Sequence, residues 1–223
     1  MTIHSRSLRS LCAPVLAAAA LLSTAAAAAD IQQATGCRKP RYPEEAMQRW
    51  EAGISVVAVL VRADGTPLRS VVADSSGFEP LDRAVLEMVM KCRWTALADG
   101  DGTGERWWRY MFIWRIDGDN DLLGAKKTAA IAASKGDVAA RYRLSRLLEM
   151  VPKDERDRRN SVTMLRSAAE LGYAPAQYGL GLHYERGDGM AADIEEALRW
   201  YRKAADQGNL FAIQRLEKGF LPE

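Results

Sequence analysis

Few residues in this sequence are of a type and spacing that could do chemistry. Beyond the first 29 residues the chain has one histidine, His183, between Leu182 and Tyr184 on a predicted helix. No serine or cysteine motif near it suggests a nucleophile that a histidine base would activate. We therefore interpret His183 as a packed or surface histidine rather than a catalytic one.

Two acidic loops have some features of a calcium-binding loop. Residues 117–121 alternate aspartates, but Leu122 stands where such a loop needs glycine, and Thr128 where it needs a bidentate glutamate. Residues 99–104 fail in the same way, because Tyr110 takes the glutamate position. We interpret both loops as solvated turns and predict no metal site.

Two pairs of neighbouring glutamates could be mistaken for catalytic carboxylates. Glu44 and Glu45, and Glu195 and Glu196, lie at predicted helix starts. Adjacent side chains on a helix point about 100° apart, so neither pair converges on a substrate. The sequence also lacks a phosphate-binding glycine loop. We therefore predict a protein that is not an enzyme, without cofactor, and with no evident small-molecule substrate.

The first 29 residues have the layout of a secretory signal peptide. Arg6 and Arg9 precede the apolar run Leu11–Leu22, and the alanines at 27–29 precede Asp30. We expect cleavage after Ala29. The alternative is an uncleaved membrane anchor, because 19 uncharged residues run from 11 to 29.

Charge gives no reason to expect binding to nucleic acid or to an anionic membrane surface. The whole chain has 31 basic and 29 acidic residues; without residues 1–29, which hold Arg6 and Arg9 and no acid, 29 oppose 29. Contact with a membrane is therefore expected only if the N-terminal segment stays uncleaved.

Cleavage would leave two cysteines, Cys37 and Cys92. A pair of cysteines in an exported chain favours a disulfide. Such a bridge would close a loop of roughly 55 residues and contribute about 4 kcal/mol in the loop-entropy model. Two separate buried thiols are the alternative.

Residues 37–116 predict a small α+β layer of helices and strands. The hairpin signal is Asp64-Gly65 between two apolar runs. The predicted elements are a helix starting at Pro43 and stopping by Gly53, strands at 54–61 and 68–73, a helix at 79–92 and a strand at 106–116. The helix places Leu81, Val85, Met88, Val89 and Cys92 on one face.

The last of these strands is unusually aromatic. Trp108, Tyr110, Phe112 and Trp114 share one face, whereas Trp107 points to the other. One hypothesis is that both faces pack, one against the helices and one against the residues that follow. The other is an edge strand that binds a partner strand through main-chain hydrogen bonds, with these five aromatics as its site.

An internal repeat begins after residue 121. Alanine pairs, single glycines, single alanines and leucines recur with a spacing of 36 residues. They are Ala132-Ala133, Ala168-Ala169 and Ala204-Ala205; Gly136, Gly172 and Gly208; Ala140, Ala176 and Ala212; and Leu144, Leu180 and Leu216. A period of this length predicts stacked helix pairs, in which glycines end one helix and small residues let helices approach.

This unit resembles the Sel-like repeat, a relative of the tetratricopeptide repeat, over residues 122–220. The best copy has the family's residue types at Ala176, Tyr178, Leu180, Gly181, Tyr184, Gly187, Gly189, Asp193, Ala197, Trp200, Tyr201, Ala204, Ala205 and Gly208. The copy before it has Val151, Lys153 and Ser161 in place of Gly, Gly and Ala, with a charged loop expected at 152–160. The last copy is half a unit.

The resemblance implies an all-α solenoid whose concave face scaffolds other proteins. Tyr178, Tyr184, Trp200 and Tyr201 are the candidate residues of a partner-binding groove. Packing is the alternative role for most of these aromatics.

Residues 37–116 resemble the C-terminal domain of TonB-type proteins. The matching residues are Tyr42-Pro43, Ala46, Gly53, Val56–Val61, Asp64-Gly65, Val71, Ser76-Gly77, Leu81-Asp82, Ala84 and Trp94. In that family the domain binds peptides or proteins, partly by adding a strand to its sheet. TonB energy transducers also have a membrane anchor and a long Pro-rich spacer, whereas here a lead-in of only about seven residues, 30–36, reaches about 25 Å.

Taken together, the sequence patterns and the two resemblances predict a periplasmic protein of two domains, 37–116 and 122–220, joined by a linker at 117–121. Its predicted function is protein–protein interaction as a scaffold or adaptor for envelope proteins or peptides. The alternatives are a membrane-anchored TonB-type energy transducer and a regulator of a cell-envelope enzyme.

Overall fold

The computed structural model of the protein describes residues 34–95, 104–116 and 122–218. The predicted signal peptide, most of the lead-in, the linker and most of both acidic loops lie outside the described residues.

The N-terminal domain is built on an antiparallel three-stranded sheet. Its elements are β1 (Ala34–Thr35), α1 (Glu44–Gln48), β2 (Gly53–Arg62), β3 (Pro67–Asp74), α2 (Glu79–Val89), β4 (Arg93–Trp94) and β5 (Glu105–Trp114). The strand order is β3-β2-β5, and β1 pairs with β4 in a separate two-stranded ladder. The predicted α+β class and the order of elements are confirmed.

Strand β2 lies at the centre because its residues are apolar on both faces. Val57 and Val59 are buried on one face, and Ile54 and Val56 on the other. Alternation in a strand sends successive side chains to opposite faces, so β2 needs cover on both sides. Its neighbours β3 and β5 are the outer strands, each hydrogen-bonded to β2 along one edge.

Helix α2 covers the first of these faces. Its residues Leu81, Val85 and Val89 are fully buried and join a core with Val57 and Trp114. The predicted apolar face is therefore confirmed. Burial of aliphatic side chains of this kind stabilises a fold by about 1.5–3 kcal/mol each.

Helix α1 is shorter than the sequence predicts. It was expected to run to Gly53, but it ends at Gln48, and Trp50 has a left-handed backbone with φ of 55°. A left-handed residue cannot continue a right-handed helix, so the chain turns there before entering β2.

The C-terminal domain is a stack of helices, as the 36-residue period predicts. They are α3 (Leu123–Ser134), α4 (Val138–Met150), α5 (Glu155–Glu170), α6 (Ala174–Arg186), α7 (Ile194–Asp206) and α8 (Leu210–Lys218). Gly172 and Gly208 follow α5 and α7 at equivalent positions with φ of 90° and 80°. A left-handed residue of this kind ends a helix and starts the turn to the next.

The predicted loop at 152–160 is wrong in extent. Helix α5 begins at Glu155, because the Asp154 side chain accepts hydrogen bonds from the backbone N–H groups of Arg156 and Asp157. This cap satisfies donors that a helix start leaves free. Most of the charged segment is therefore the first turns of a helix.

The second face of the sheet packs against the helical stack. Ile54 and Val56 form a buried cluster with Leu122, Ala125 and Leu147, with α4 against β2 and α8 against β5. Both faces of the aromatic strand have packed side chains: Phe112 and Trp114 lie toward α2, and Met111 and Ile113 lie toward the repeats.

Candidate functional site

The outer edge of β5 is the first candidate partner-binding surface. In the described part of the chain, β5 pairs only with β2, in register from Gly53–Trp114 to Arg62–Glu105. An unpaired strand edge presents main-chain N–H and C=O groups to any strand that approaches. Helix α8 lies against this strand.

Most aromatic side chains of β5 point into the core. Trp114 is only 2% exposed and donates a hydrogen bond from Nε1 to Ser55 Oγ over 3.1 Å. Trp108, Tyr110 and Phe112 are partly buried against the same core under α2. These four residues therefore pack within the domain, so a partner strand would meet the strand's main chain rather than these rings.

Trp107 is on the opposite face, as predicted. It is partly exposed, and the Arg69 guanidinium lies 5.0 Å from its ring centre. Arg69 on β3 and Trp107 on β5 are both the cross-strand neighbours of Leu60 on β2. Trp107 is the aromatic residue of β5 whose side chain is best placed to touch a partner.

The four aromatic residues predicted to line the repeat groove have different surroundings. Tyr201 is fully buried and donates to Glu185 Oε2 over 2.6 Å, and Trp200 is only 9% exposed. Burial places both in the packing of the stack rather than on a groove surface. Gly181 makes room for the buried Tyr201 ring, since a Cβ at position 181 would lie 2.5 Å from that ring.

Tyr178 and Tyr184 are partly exposed. The Tyr178 ring is 5.7 Å from Tyr201 and 5.9 Å from Phe211, centre to centre. Tyr184 accepts a hydrogen bond from Arg166, whose guanidinium also lies 5.7 Å from its ring centre. Tyr178 lies close enough to Arg109 of β5 for that charge to act on its hydroxyl, so this tyrosine lies toward the sheet.

A polar seam lies where the sheet meets α4. Asp74 of β3 is 7% exposed, and its Oδ1 has no hydrogen-bond partner in the structure. Burial raises the pKa of Asp74 to about 7, although the positive charges of Arg146, Arg109 and Arg143 oppose the shift. A buried carboxylate without a close partner is costly when ionised.

The seam continues into the repeats through Arg146, Glu149 and His183. Arg146 donates to Glu149, whose other oxygen lies 3.3 Å from His183 Nε2. Burial opposes ionisation of Glu149, but His183 and Arg146 hold its pKa down at about 2. His183 Nδ1 lies 2.8 Å from the Asp188 carbonyl oxygen, so both ring nitrogens face acceptors.

His183 is thus the packed histidine that the sequence predicts, since it is 6% exposed. Burial lowers its pKa, but the hydrogen bond and charge of Glu149 outweigh burial and raise it. Nothing in the sequence indicates that Glu149 would meet this histidine, or that Asp74 would lie near Arg146. Asp74 and Arg146 are 72 positions apart and carry no motif that would have linked them.

A second buried polar network positions the end of β5. Asp82 accepts hydrogen bonds from Ser55 Oγ over 2.7 Å, Ser75 Oγ over 2.5 Å and the Ser76 N–H over 2.9 Å. Since Ser55 also receives the Trp114 indole, one carboxylate ties together β2, β5 and the loop before α2. The sequence offered Asp82 only as part of a family resemblance.

Cys37 and Cys92 form a disulfide in the structure, with Cα atoms 4.6 Å apart. In the described part of the chain, no cluster of three or more histidine, cysteine, aspartate or glutamate side chains is arranged to hold a metal ion. None of the described helices has the length and apolar character needed to cross a membrane.

Comparison with known families identifies both halves. Residues 38–114 match the family model described as the Gram-negative bacterial TonB protein C-terminal. Residues 138–173 and 174–209 each match the Sel1 repeat model. The chain thus has a TonB C-terminal domain followed by two Sel1 repeats.

Similarity to individual proteins lies in a smaller part of the chain. A chitin synthase regulator of Saccharomyces cerevisiae is 35% identical over 104 residues, which are 44% of this chain and 15% of that protein. Chitin synthase regulatory factor 3 of Schizosaccharomyces pombe is 49% identical over 51 residues, 23% of this chain and 6% of that protein. The chain thus spans only a small part of the length of these relatives.

A solved Sel1 repeat protein from Oxalobacter formigenes is 36% identical, with a TM-score of 0.40. The similarity covers 43% of this chain and 71% of that one.

Proposed function

We propose that this protein is a non-catalytic adaptor of the Gram-negative cell envelope, which binds an extended segment of a partner protein along the outer edge of β5. The observation that carries the proposal is that β5 is paired on one side only within the described residues. Four of its side chains, Trp108, Tyr110, Phe112 and Trp114, already pack in the core, so the strand is held in place before binding. Preorganisation of this kind lowers the cost of association.

The TonB C-terminal match supports the envelope as the location, since its model is built from Gram-negative proteins. The N-terminal layout of Arg6, Arg9 and the apolar run Leu11–Leu22 supports export, with cleavage after Ala29. The intact mass of the protein from a periplasmic extract tests this. A mass that starts at Asp30 supports export as a processed protein, whereas a full-length mass found only in membranes favours the anchored transducer.

The repeats supply the second interaction surface of the proposed adaptor. Because the sheet already packs against α4 and α8, a partner would contact the other faces of the helical stack. Tyr178 and Tyr184, the two partly exposed aromatics of the predicted groove, are its candidate contacts.

Site-specific photo-crosslinking tests the edge of β5. A photoreactive amino acid at Trp107 should give a discrete crosslinked partner in cells. The matched control is the same amino acid at Arg159, which is exposed on α5. A partner captured equally at both positions, or only at Arg159, would contradict binding along β5.

A second candidate function is regulation of a cell-envelope enzyme. The relatives that match over part of their length are named as regulators of chitin synthase, which makes a synthase of an envelope polymer a reasonable class of partner. Membranes that synthesise such a polymer should then change their rate when the purified protein is added. An unchanged rate of polymer synthesis, together with a crosslink from position 107, would contradict the regulatory function and support the adaptor function.

A further inference from the structure

Five exposed basic residues follow or flank the two disulfide cysteines of the N-terminal domain. They are Arg38, Lys39, Arg41, Lys91 and Arg93, here called the basic corner. Three come from the segment after Cys37 and two from the positions on either side of Cys92. The neutral balance of the processed chain therefore conceals an uneven distribution of charge.

Covalent and main-chain contacts hold the two segments together. The disulfide brings the Cα atoms of residues 37 and 92 to 4.6 Å, and β1 pairs with β4 so that Thr35 lies opposite Arg93. The Trp94 N–H also donates to the Gly65 carbonyl over 3.1 Å. The like charges consequently cannot separate without breaking this arrangement.

Most of these cations are not neutralised by neighbouring acids. Within residues 34–95, 104–116 and 122–218, the structure gives no ion pair to four of them, Arg38, Lys39, Arg41 and Lys91. By contrast, Arg83 in the same domain is paired with both Glu45 and Glu79. Unpaired exposed charges on a fixed surface create a local positive potential.

The acids nearest in the chain reduce this potential without cancelling it. Asp64 lies close enough to Arg93 to feel its charge, and Glu87 is one helical turn before Lys91. Lys91 also follows the C-terminal end of α2, where the helix dipole favours a cation. That structural role accounts for Lys91, and Arg93 has Asp64 nearby, which leaves Arg38, Lys39 and Arg41 to be explained.

We propose that the basic corner docks the protein on an anionic phospholipid bilayer. Acidic headgroups attract clustered Lys and Arg residues, and Met90, which is 36% exposed, offers an apolar side chain beside Lys91. The uncharged run Leu11–Ala29 ends nine positions before Arg38. Chain of that length reaches about 30 Å, so before cleavage after Ala29 the corner lies within reach of the bilayer that holds the N-terminal segment.

A membrane fits these observations better than a nucleic acid. The corner has the exposed Met90 side chain at its margin, whereas the aromatic rings next to it in the chain, Tyr42 and Trp94, are partly buried and buried and so are poorly placed to stack on a base. Each basic residue near an anionic surface strengthens binding about fivefold, and the effect fades beyond about 10 Å at 0.1 M salt. The protein should thus bind anionic vesicles weakly and in a salt-dependent way.

Vesicle co-sedimentation of the protein in the form that cells produce tests this inference. The measured quantity is the ratio of binding to phosphatidylglycerol-containing vesicles over binding to phosphatidylcholine vesicles. The double variant R38E/K39E should lower this ratio about tenfold or more, and salt at about 1 M should abolish the preference of the unchanged protein. Using the ratio removes any contribution from an uncleaved apolar segment, which would bind both vesicles.

The matched control is R156E/R159E, which reverses two exposed arginines on α5. It changes the net charge equally and should leave the ratio unchanged. Thermal unfolding should be unaltered in both variants, since the four residues are exposed. Equal loss in both variants, no preference of the unchanged protein for anionic vesicles, or tighter binding to duplex DNA than to vesicles would overturn the proposal. None of these outcomes depends on the edge of β5.

Discussion

The two faces of the central sheet are covered in different ways. The face under α2 is closed by aliphatic and aromatic side chains. Its buried carboxylate Asp82 accepts a hydrogen bond at each oxygen. The face toward the repeats also has an apolar cluster, but it ends in the polar seam, where one oxygen of Asp74 has no partner.

This difference has an energetic meaning. A satisfied buried carboxylate costs little to keep, whereas an unsatisfied one lowers stability whenever it is ionised. The first face therefore fixes the N-terminal domain as one unit. The second face joins that domain to the repeats through groups whose charge depends on pH. The stability of the contact between the two domains should therefore depend on pH.

The largest expected effect concerns the disulfide, which closes the first face at its margin. Its cysteines are 55 positions apart. Reduction, or the double variant C37S/C92S, should lower the free energy of unfolding by about 4 kcal/mol, because the unfolded chain regains the entropy of an open loop. Urea denaturation with and without reductant measures this. Reductant should have no further effect on C37S/C92S, and no effect on the unchanged protein would show that the bridge does not stabilise this face.

Asp82 provides the next largest effect. Changing Asp82→Ala leaves the Ser55 hydroxyl and the Ser76 N–H buried without their acceptor, and should destabilise the protein by about 3 kcal/mol. Asp82→Asn keeps one acceptor oxygen and should cost about half as much. Denaturant unfolding at constant pH gives both values. Equal losses for the two variants would mean that packing, rather than hydrogen bonding, accounts for the effect.

Titration of the seam should separate it from the first face. The folded protein raises the pKa of Asp74 from 3.8 to about 7, so the folded state binds this proton more tightly than the unfolded state. The contribution of Asp74 to stability is then fully present below about pH 4 and is lost as pH rises to about 7. The loss between about pH 5 and about pH 8 should be about 2 to 3 kcal/mol.

Asp74→Asn is the variant that isolates this term, because it removes the titrating group with little change of shape. The raised pKa of His183 acts in the same direction, since stability from its charged form is lost as pH rises. Asp74→Asn should therefore remove most of the pH dependence of the free energy of unfolding. A smaller pH dependence, due to His183, should remain. An unchanged pH profile of stability in Asp74→Asn would show that the pKa of Asp74 is not raised by its burial in the seam.

How much of this arrangement the sequence predicts depends on the range of the interactions involved. The helices α3–α8 follow from a local period, and the hairpin from Asp64-Gly65, because short-range chemistry fixes both. The exceptions are also local: the left-handed Trp50 shortens α1, and the Asp154 cap starts α5 early. Aspartate is a favoured residue at a helix start, so the cap at Asp154 agrees with its type, whereas the type of Trp50 does not indicate a left-handed backbone.

The seam was not predictable in the same way. Asp74 lies at the end of an outer strand and Arg146 in the middle of a helix, and nothing in their spacing indicates that they meet. The burial of Tyr201 and Trp200 likewise depends on how neighbouring repeats approach, which the alanine and glycine pattern implies without identifying the buried rings. By contrast, the alternating pattern of β5 predicted correctly which of its aromatics share a face.

The smallest expected effect, at Trp108, tests whether the first face relies on apolar packing. Its indole Nε1 is buried without a hydrogen-bond partner, and the Arg106 guanidinium lies 4.9 Å from its ring centre. Trp108→Phe removes an unsatisfied donor while keeping an aromatic ring, so the gain offsets part of the lost contact. The free energy of unfolding should change by less than about 1 kcal/mol. Crosslinking from Trp107 should also persist, since a partner of β5 would meet the main chain; its loss in Trp108→Phe would mean that the inward ring positions the edge.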